Sequence, residues 1–321
     1  MGTRSKMNAI LLAGDRRASI QLREDNKAFL ELKNVPLFIY VLRALKQAEY
    51  IQDVVVVGPS KRLLAAVQKY DSLLIGAGEI CVVEQRENMI DNFKVGYVAS
   101  LGLGNDVEFW DLKDSEYECI PALVAPCDIP LLTAAEVDEF VTRSNMHEYD
   151  YSIGITSEKV LSHYYPTDGK PGIQMINFHV QEDLLRHNNL HIAMPLTFAH
   201  LDYIEKMYEW RYQTRLANIL RMLFSLLFAG WRFFKGLRVF ILMQLSLYYD
   251  RHGHPNLSDR LRSLVCFNRL AEGIGNALGA RVQVVYTHFG GAALDADNEK
   301  DLSVIEERYD EWMAYQASLT D

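Results

Sequence analysis

The chain has 321 residues, long enough for one large α/β domain with an insertion or for two smaller domains, and too long for a small disulfide-stapled scaffold. Apolar residues make up 49% and charged residues 23%, the balance of a folded globular chain in which any disorder is local. A formal charge of −9, from 33 basic and 42 acidic residues, argues against binding of nucleic acid or of an anionic membrane by the chain as a whole.

Residues 1–7 (MGTRSKM) are polar and run directly into a strand-like stretch, without the apolar run and cleavage site of a secretory signal. Cys81, Cys119, Cys127 and Cys266 form neither CxxC pairs nor zinc spacings, which suits a reducing compartment. The expected location is the cytoplasm.

Short runs rich in β-branched residues follow at 8–13 (NAILLA), 53–58 (DVVVVG), 79–84 (EICVVE), 122–125 (ALVA), 151–156 (YSIGIT) and 281–286 (RVQVVY). Continuous apolar strands of this kind are buried on both faces, as in parallel sheets. Helical patterns lie between them at 36–48, 61–69, 89–101 and 134–142. The alternation predicts an α/β fold with a doubly wound, mostly parallel sheet, whose ligands bind beyond the carboxyl ends of the strands.

The alternation stops near residue 200. Residues 200–266 read as successive helices, including 219–228 (ILRMLFSLLF) and 239–249 (VFILMQLSLYY), so the expected layout is a nucleotide-binding α/β core over 1–200, a basic, aromatic-rich helical insertion over 201–270, and a return to the core over 271–321. Between Arg211 and Arg262 nine basic residues face two aspartates, a local +7 that leaves −16 for the rest of the chain. Each of these stretches is about half the roughly 20 residues needed to span a bilayer. Two readings stay open: a buried hairpin or homo-oligomer interface, and a pair of helices lying on an anionic lipid surface, which would make the protein peripheral to the inner membrane.

Three segments carry candidate chemistry. The first is Leu12-Ala13-Gly14-Asp15-Arg16-Arg17 at the end of the first strand, followed by Asn26-Lys27 and by Asn34-Val35-Pro36-Leu37 at the head of a helix. A glycine turn after a buried strand lets backbone N–H groups approach phosphate oxygens, and a following cation adds charge. The second is Pro126-Cys127-Asp128-Ile129-Pro130-Leu131-Leu132, which puts a carboxylate at the ligand-binding edge of the sheet, where Mg²⁺ is held together with a triphosphate. The third is Leu294-Asp295-Ala296-Asp297-Asn298-Glu299-Lys300-Asp301-Leu302, an acidic turn ahead of a helix in which one aspartate could instead cap that helix.

The first segment resembles the opening signature of the MobA-like NTP transferases, roughly LAxGxGxR, then PK, then G-x-P-L; Asp15 or Arg16 replaces the second loop glycine, and Asn26 the proline before the lysine. CDIPLL is similar to that family's C/G-D-x-P-L-L segment, and LDADNEKDL to its D-x-D-T-P-E-D-L segment, all in the family's order. The resemblance implies the GT-A-like, Rossmann-related nucleotidyltransferase fold. It assigns phosphate and nucleotide contacts to Leu12, Ala13, Gly14, Arg17 and Lys27, with Arg16 an alternative to Arg17, and Mg²⁺ to Asp128 and Asp295, with Asp297 beside them. Base contacts fall in the segment from Glu84 to Lys94, with Glu84, Arg86 and Asn92 as candidates.

Two further patterns are weaker. The glycines at 273–279 (GIGNALG) have the wrong spacing for a dinucleotide turn and read as a helix end. His187-Asn188-Asn189-Leu190-His191 would set two imidazoles at helical i, i+4 spacing but lacks the glutamate of a zinc protease motif; Asn189 and His191 are candidate contacts to the second substrate. The expected reaction is Mg²⁺-dependent transfer of NMP from an NTP to a phosphorylated or hydroxyl acceptor, either a small molecule or a lipid head group, with release of pyrophosphate. The alternatives are a GT-A-type glycosyltransferase using a nucleotide sugar and a non-catalytic nucleotide-binding protein at a membrane surface.

Overall fold

Val54, Val55, Val56 and Val57 show how the sheet is built: Val54 and Val56 enter one apolar core, and Val55 and Val57 enter another on the opposite face. The first strand divides in the same way, with Ala9 and Leu11 on one side and Ile10 on the other. Side chains alternate along a strand, so a continuous apolar run is stable only when both faces are covered.

The computed structural model describes residues 6–14, 26–76, 78–104, 106–167, 169–175, 178–179, 184–201, 252–265 and 267–320, with scattered positions between 238 and 250. The main strands are β1 (Met7–Leu12), β4 (Ile51–Gly58), β5 (Ile80–Glu84), β6 (Ala122–Pro126), β7 (Tyr151–Ser157), β9 (Leu184–Ala193) and β10 (Val282–Thr287), in the spatial order β10-β7-β9-β6-β1-β4-β5. The short β8 (Phe178–His179) pairs with β9, giving eight strands. Neighbours are parallel except that β9 runs antiparallel to both β7 and β6. Strands β2 (Glu31–Leu32) and β3 (Val35–Pro36) form a separate hairpin, whose turn residues Lys33 and Asn34 have φ of 51° and 63°, as a two-residue type I′ turn requires.

Helices α1 (Leu37–Gln47), α2 (Ser60–Lys69) and α4 (Ala134–Arg143) contribute to one core, and α3 (Met89–Ser100) and α7 (Phe267–Leu278) to the other. Among the remaining helices, α5 (Glu158–Leu161) is a single turn after β7 and α6 (Pro255–Arg262) precedes α7. The glycine stretch at 273–279 ends α7, with Gly279 in the left-handed conformation (φ +63°) that commonly terminates helices. The closing helix α8 (Glu299–Ala317) builds a third apolar cluster through Trp312, Ile305 and Tyr309, packed on Leu37, Tyr40 and Tyr164.

The structure corrects one element. Residues 187–191 do not form a helix but the middle of β9, so His187, Asn189 and His191 alternate along a strand. The register of β9 on β7 slips between Ile153 and Ile155, where the Asn188 side chain lies over Gly154. The basic segment 211–262 lies largely outside the described residues; its described positions from 238 to 250 are helical, and among the described residues no helix is long and apolar enough to cross a membrane.

Trp312 is 1% exposed and meets Tyr164 edge-on at 5.3 Å, anchoring the helix that follows the acidic turn. Trp312→Ala is expected to destabilise the protein by about 3–5 kcal/mol, read as a lowered urea midpoint; a loss below about 1 kcal/mol would mean that α8 is not docked through this ring.

Candidate functional site

Strands β1 and β6 are parallel neighbours in register up to Leu12 and Pro126, so the turns that follow them, carrying Gly14 and Asp128, leave from the same edge of the sheet. Gly14 lies close against two side chains: a Cβ there would lie 2.6 Å from Asn92 Nδ2 and 3.2 Å from Gln85 Oε1, so Asn92 would have to shift to admit it. Asn92 is buried behind the turn, its Oδ1 accepting from Arg86 N at 2.5 Å. Asn26 ties the next segment back to the first strand: its Oδ1 accepts from Ala28 N at 3.0 Å and its Nδ2 donates to Ala13 O at 3.3 Å. Asparagine in the family's proline position therefore has a local structural use.

Lys27, held by that turn, donates through Nζ to Asp128 Oδ2 at 3.2 Å and to Asp297 Oδ1 at 2.6 Å. Burial pushes its ammonium down, but the two carboxylates outweigh burial and hold its pKa above the ordinary lysine value. Burial raises Asp128 despite Lys27, whereas Asp297, also penalised by burial, is drawn down by its bond to Lys27. Asp295 pairs with Arg186, whose Nη2 donates to Oδ1 at 2.9 Å; burial first and Asp297 second raise its pKa. The ensemble is three carboxylates against two cations.

The acidic turn is clamped from several elements. Ala296 N donates to Asp128 O at 2.8 Å, joining the two acidic segments through the backbone. Ala292 N donates to Glu136 Oε2 at 2.9 Å, Asn189 Nδ2 to Ala292 O at 2.9 Å, and Arg186 Nε to Ala293 O at 3.1 Å. Helix α8 is capped by Asn298, whose side chain accepts from Asp301 N at 2.9 Å, so capping does not consume Asp297. Glu136 stands three residues after the cap Thr133, where a capping-box side chain would fold back, yet its carboxylate reaches the turn instead.

Beside this cluster a cavity of about 520 Å³ is lined by Leu12, Arg186, His187, Asn189, His191, Asp295 and Asp297 together with apolar residues. Tyr151 Oη and His191 Nδ1 are 2.8 Å apart, and the two rings stack at 14°. Burial, aided by neighbouring positive charge, drives His187 down to about 4 and His191 to about 3, so both imidazoles are neutral at physiological pH.

The structure thus brings together Lys27, Asp128, Asp295 and Asp297, sets Leu12, Asn189 and His191 in the adjoining cavity, and packs Asn92 against Gly14. Arg16 and Arg17, with Asp15, lie outside the described residues. Glu84 has a structural role, its Oε2 accepting from Ser60 N at 3.0 Å and Ser60 Oγ at 2.5 Å at the start of α2. Sequence reasoning missed Gln85, one residue along, and also Arg186 and Glu136. Arg186 directly precedes the HNNLH stretch, and recognising that stretch as a strand would have placed it beside the cavity.

Residues 9–226 match the MobA-like NTP transferase domain. No curated protein matches the sequence. Among solved structures, a hypothetical transferase from Thermus thermophilus superposes with a TM-score of 0.61 at 18% identity over 92% of this chain and 99% of that one, which shows a shared fold. Also similar are a CMP:2-keto-3-deoxy-manno-octonic acid synthetase complexed with CTP (TM-score 0.46, 11% identity, 96% and 99% covered) and the 4-diphosphocytidyl-2C-methyl-D-erythritol synthase of Anaerococcus prevotii (0.45, 11%, 96% and 96%).

Burial lifts the Glu136 carboxyl from its ordinary 4.5 to about 8, so the folded protein keeps it protonated where the unfolded chain ionises it. Its contribution to stability is complete below about pH 4.5 and is lost as pH rises through about 8. Urea midpoints at pH 5, 6.5 and 8 should fall more steeply for the wild type than for Glu136→Gln, which cannot ionise; parallel slopes would show that the carboxyl does not titrate in this window.

Proposed function

The chain belongs to the MobA-like NTP transferase family and is a nucleotidyltransferase; we propose that it moves NMP from an NTP to a phosphate-bearing acceptor, with release of pyrophosphate and with Mg²⁺ as cofactor. The observation that carries this reading is the convergence of Lys27, Asp128 and Asp297 from three distant parts of the chain at the carboxyl edge of β1 and β6.

The donors present fit Mg²⁺. They are carboxylate oxygens with one negative charge in excess, and among the described residues no three His, Cys, Asp or Glu side chains form a self-sufficient metal site. Mg²⁺ characteristically uses one or two carboxylates and completes its shell with substrate phosphates and water. Asp128 and Asp295 would hold it, with Asp297 alongside, and when bound it supplies charge neutralisation for the triphosphate.

The chain's own groups then have distinct tasks. The backbone N–H of Gly14 would approach the phosphates, and Lys27 would move from its carboxylates to the triphosphate, offsetting charge that builds on the leaving pyrophosphate. Gln85 and Asn92 pack on Gly14, within the segment proposed for base contacts. An acceptor oxygen in the cavity attacks the α-phosphorus, a new P–O bond forms, and the bond to the β-phosphate oxygen breaks, that oxygen keeping the electron pair. Neutral His187 and His191 hydrogen-bond and orient but are too weakly basic to deprotonate a hydroxyl. An acceptor phosphate, with a second pKa of about 6, arrives already ionised. This favours the phosphorylated acceptor over the hydroxyl one.

Thermal shifts with ATP, CTP, GTP and UTP in Mg²⁺ should identify one stabilising nucleotide, because a ligand bound by the native state raises apparent stability. Asp128→Ala and Lys27→Met should each retain the fold by circular dichroism and lower Mg²⁺-dependent pyrophosphate release about a hundredfold or more. Undiminished release by both variants would remove these residues from the reaction.

A further inference from the structure

The cavity beside the acidic turn restricts the acceptor further, on the premise that the nucleotidyltransferase reading holds. Much of its wall is apolar: Met89, Ile90 and Phe93 from α3, Val124 from β6, Ala193 from β9, and Phe198 beyond it. Its polar groups are concentrated on β9 and the acidic turn, and several are already committed. Asn189 Nδ2 donates to Ala292 O, Tyr151 Oη is paired with His191 Nδ1, and Arg186 donates through Nε to Ala293 O and through Nη2 to Asp295.

A sugar body brings a donor and an acceptor with every hydroxyl, and each must find a partner once water is excluded. The wall formed by α3, Val124 and Phe198 offers none from its side chains. Arg186 differs: its Nη1 makes no hydrogen bond among the described residues, and a guanidinium edge matches a phosphate. The volume of about 520 Å³ is within the range of small-molecule sites.

We propose that the acceptor is a phosphate monoester with an apolar body, its phosphate at Arg186 and its body against the α3 wall, and not a sugar phosphate. A planar ring and a short hydrocarbon chain both satisfy this chemistry, and the probes separate them.

The test is calorimetric titration of the full-length protein, in Mg²⁺ buffer, with phenyl phosphate, n-hexyl phosphate, ribose 5-phosphate and inorganic phosphate. Phenyl or hexyl phosphate should bind at least tenfold more tightly than ribose 5-phosphate or phosphate alone, the tighter of the two showing whether the body is a ring or a chain. Phe198→Ala should weaken the preferred probe about tenfold while the thermal shift produced by NTP stays unchanged. Equal or tighter binding of ribose 5-phosphate, inorganic phosphate that binds as well as either ester, or unchanged affinity in Phe198→Ala would overturn the proposal. The nucleotide panel is read separately: no stabilisation by any NTP defeats the nucleotidyl-transfer reading, whereas sugar-phosphate preference beside intact NTP binding defeats only the acceptor class.

Discussion

One ammonium organises the site. Lys27 lies 101 residues from Asp128 and 270 from Asp297 in sequence, and its Nζ is bonded to both. Without it, three carboxylates would share one partly buried edge with only Arg186 to balance them, and burial penalises each as a charge. Lys27 makes the acidic cluster tolerable before substrate arrives. The same property suits it to exchange partners, since in the proposed reaction an incoming triphosphate with a divalent cation would replace both halves of the ion pairs at once.

That exchange needs the carboxylates to stay in place when Lys27 moves, and the fold provides for it by holding their backbone independently of the ion pairs. Ala296 N reaches Asp128 O, while Glu136, Asn189 and Arg186 bind the main chain of residues 292 and 293. The Trp312 anchor fixes α8 on the other side. Asn189 thus ties down the main chain of the turn as well as lining the cavity.

The sheet was readable because its strands are apolar on both faces, and the acidic and lysine positions because short motifs carry them in a recognisable order. β9 was not, because His187, Asn188, Asn189 and His191 interrupt any apolar period, and a two-histidine spacing of four suits a helix as readily as a strand in isolation. What decides for the strand is tertiary: β7 and β6 present open edges on either side of it. Glu136 was hidden for a related reason. Its sequence context, T-A-A-E, is a complete local helix-start signal, and nothing local reveals that its carboxylate serves Ala292, 156 residues away. Roles that depend on contacts between distant segments leave little trace in a local pattern.

A chain of net charge −9 that handles a polyanionic nucleotide must solve its electrostatics locally. The described cleft does so by placing Lys27 and Arg186 against three aspartates, which leaves it one charge negative and suited to a divalent cation that would partly offset an incoming triphosphate. The two histidines do not enter this balance, because burial keeps them uncharged. Their neutrality leaves Arg186 as the one cation among the described residues of the cavity wall, so in the proposed reaction a phosphate-bearing acceptor would be drawn to its guanidinium.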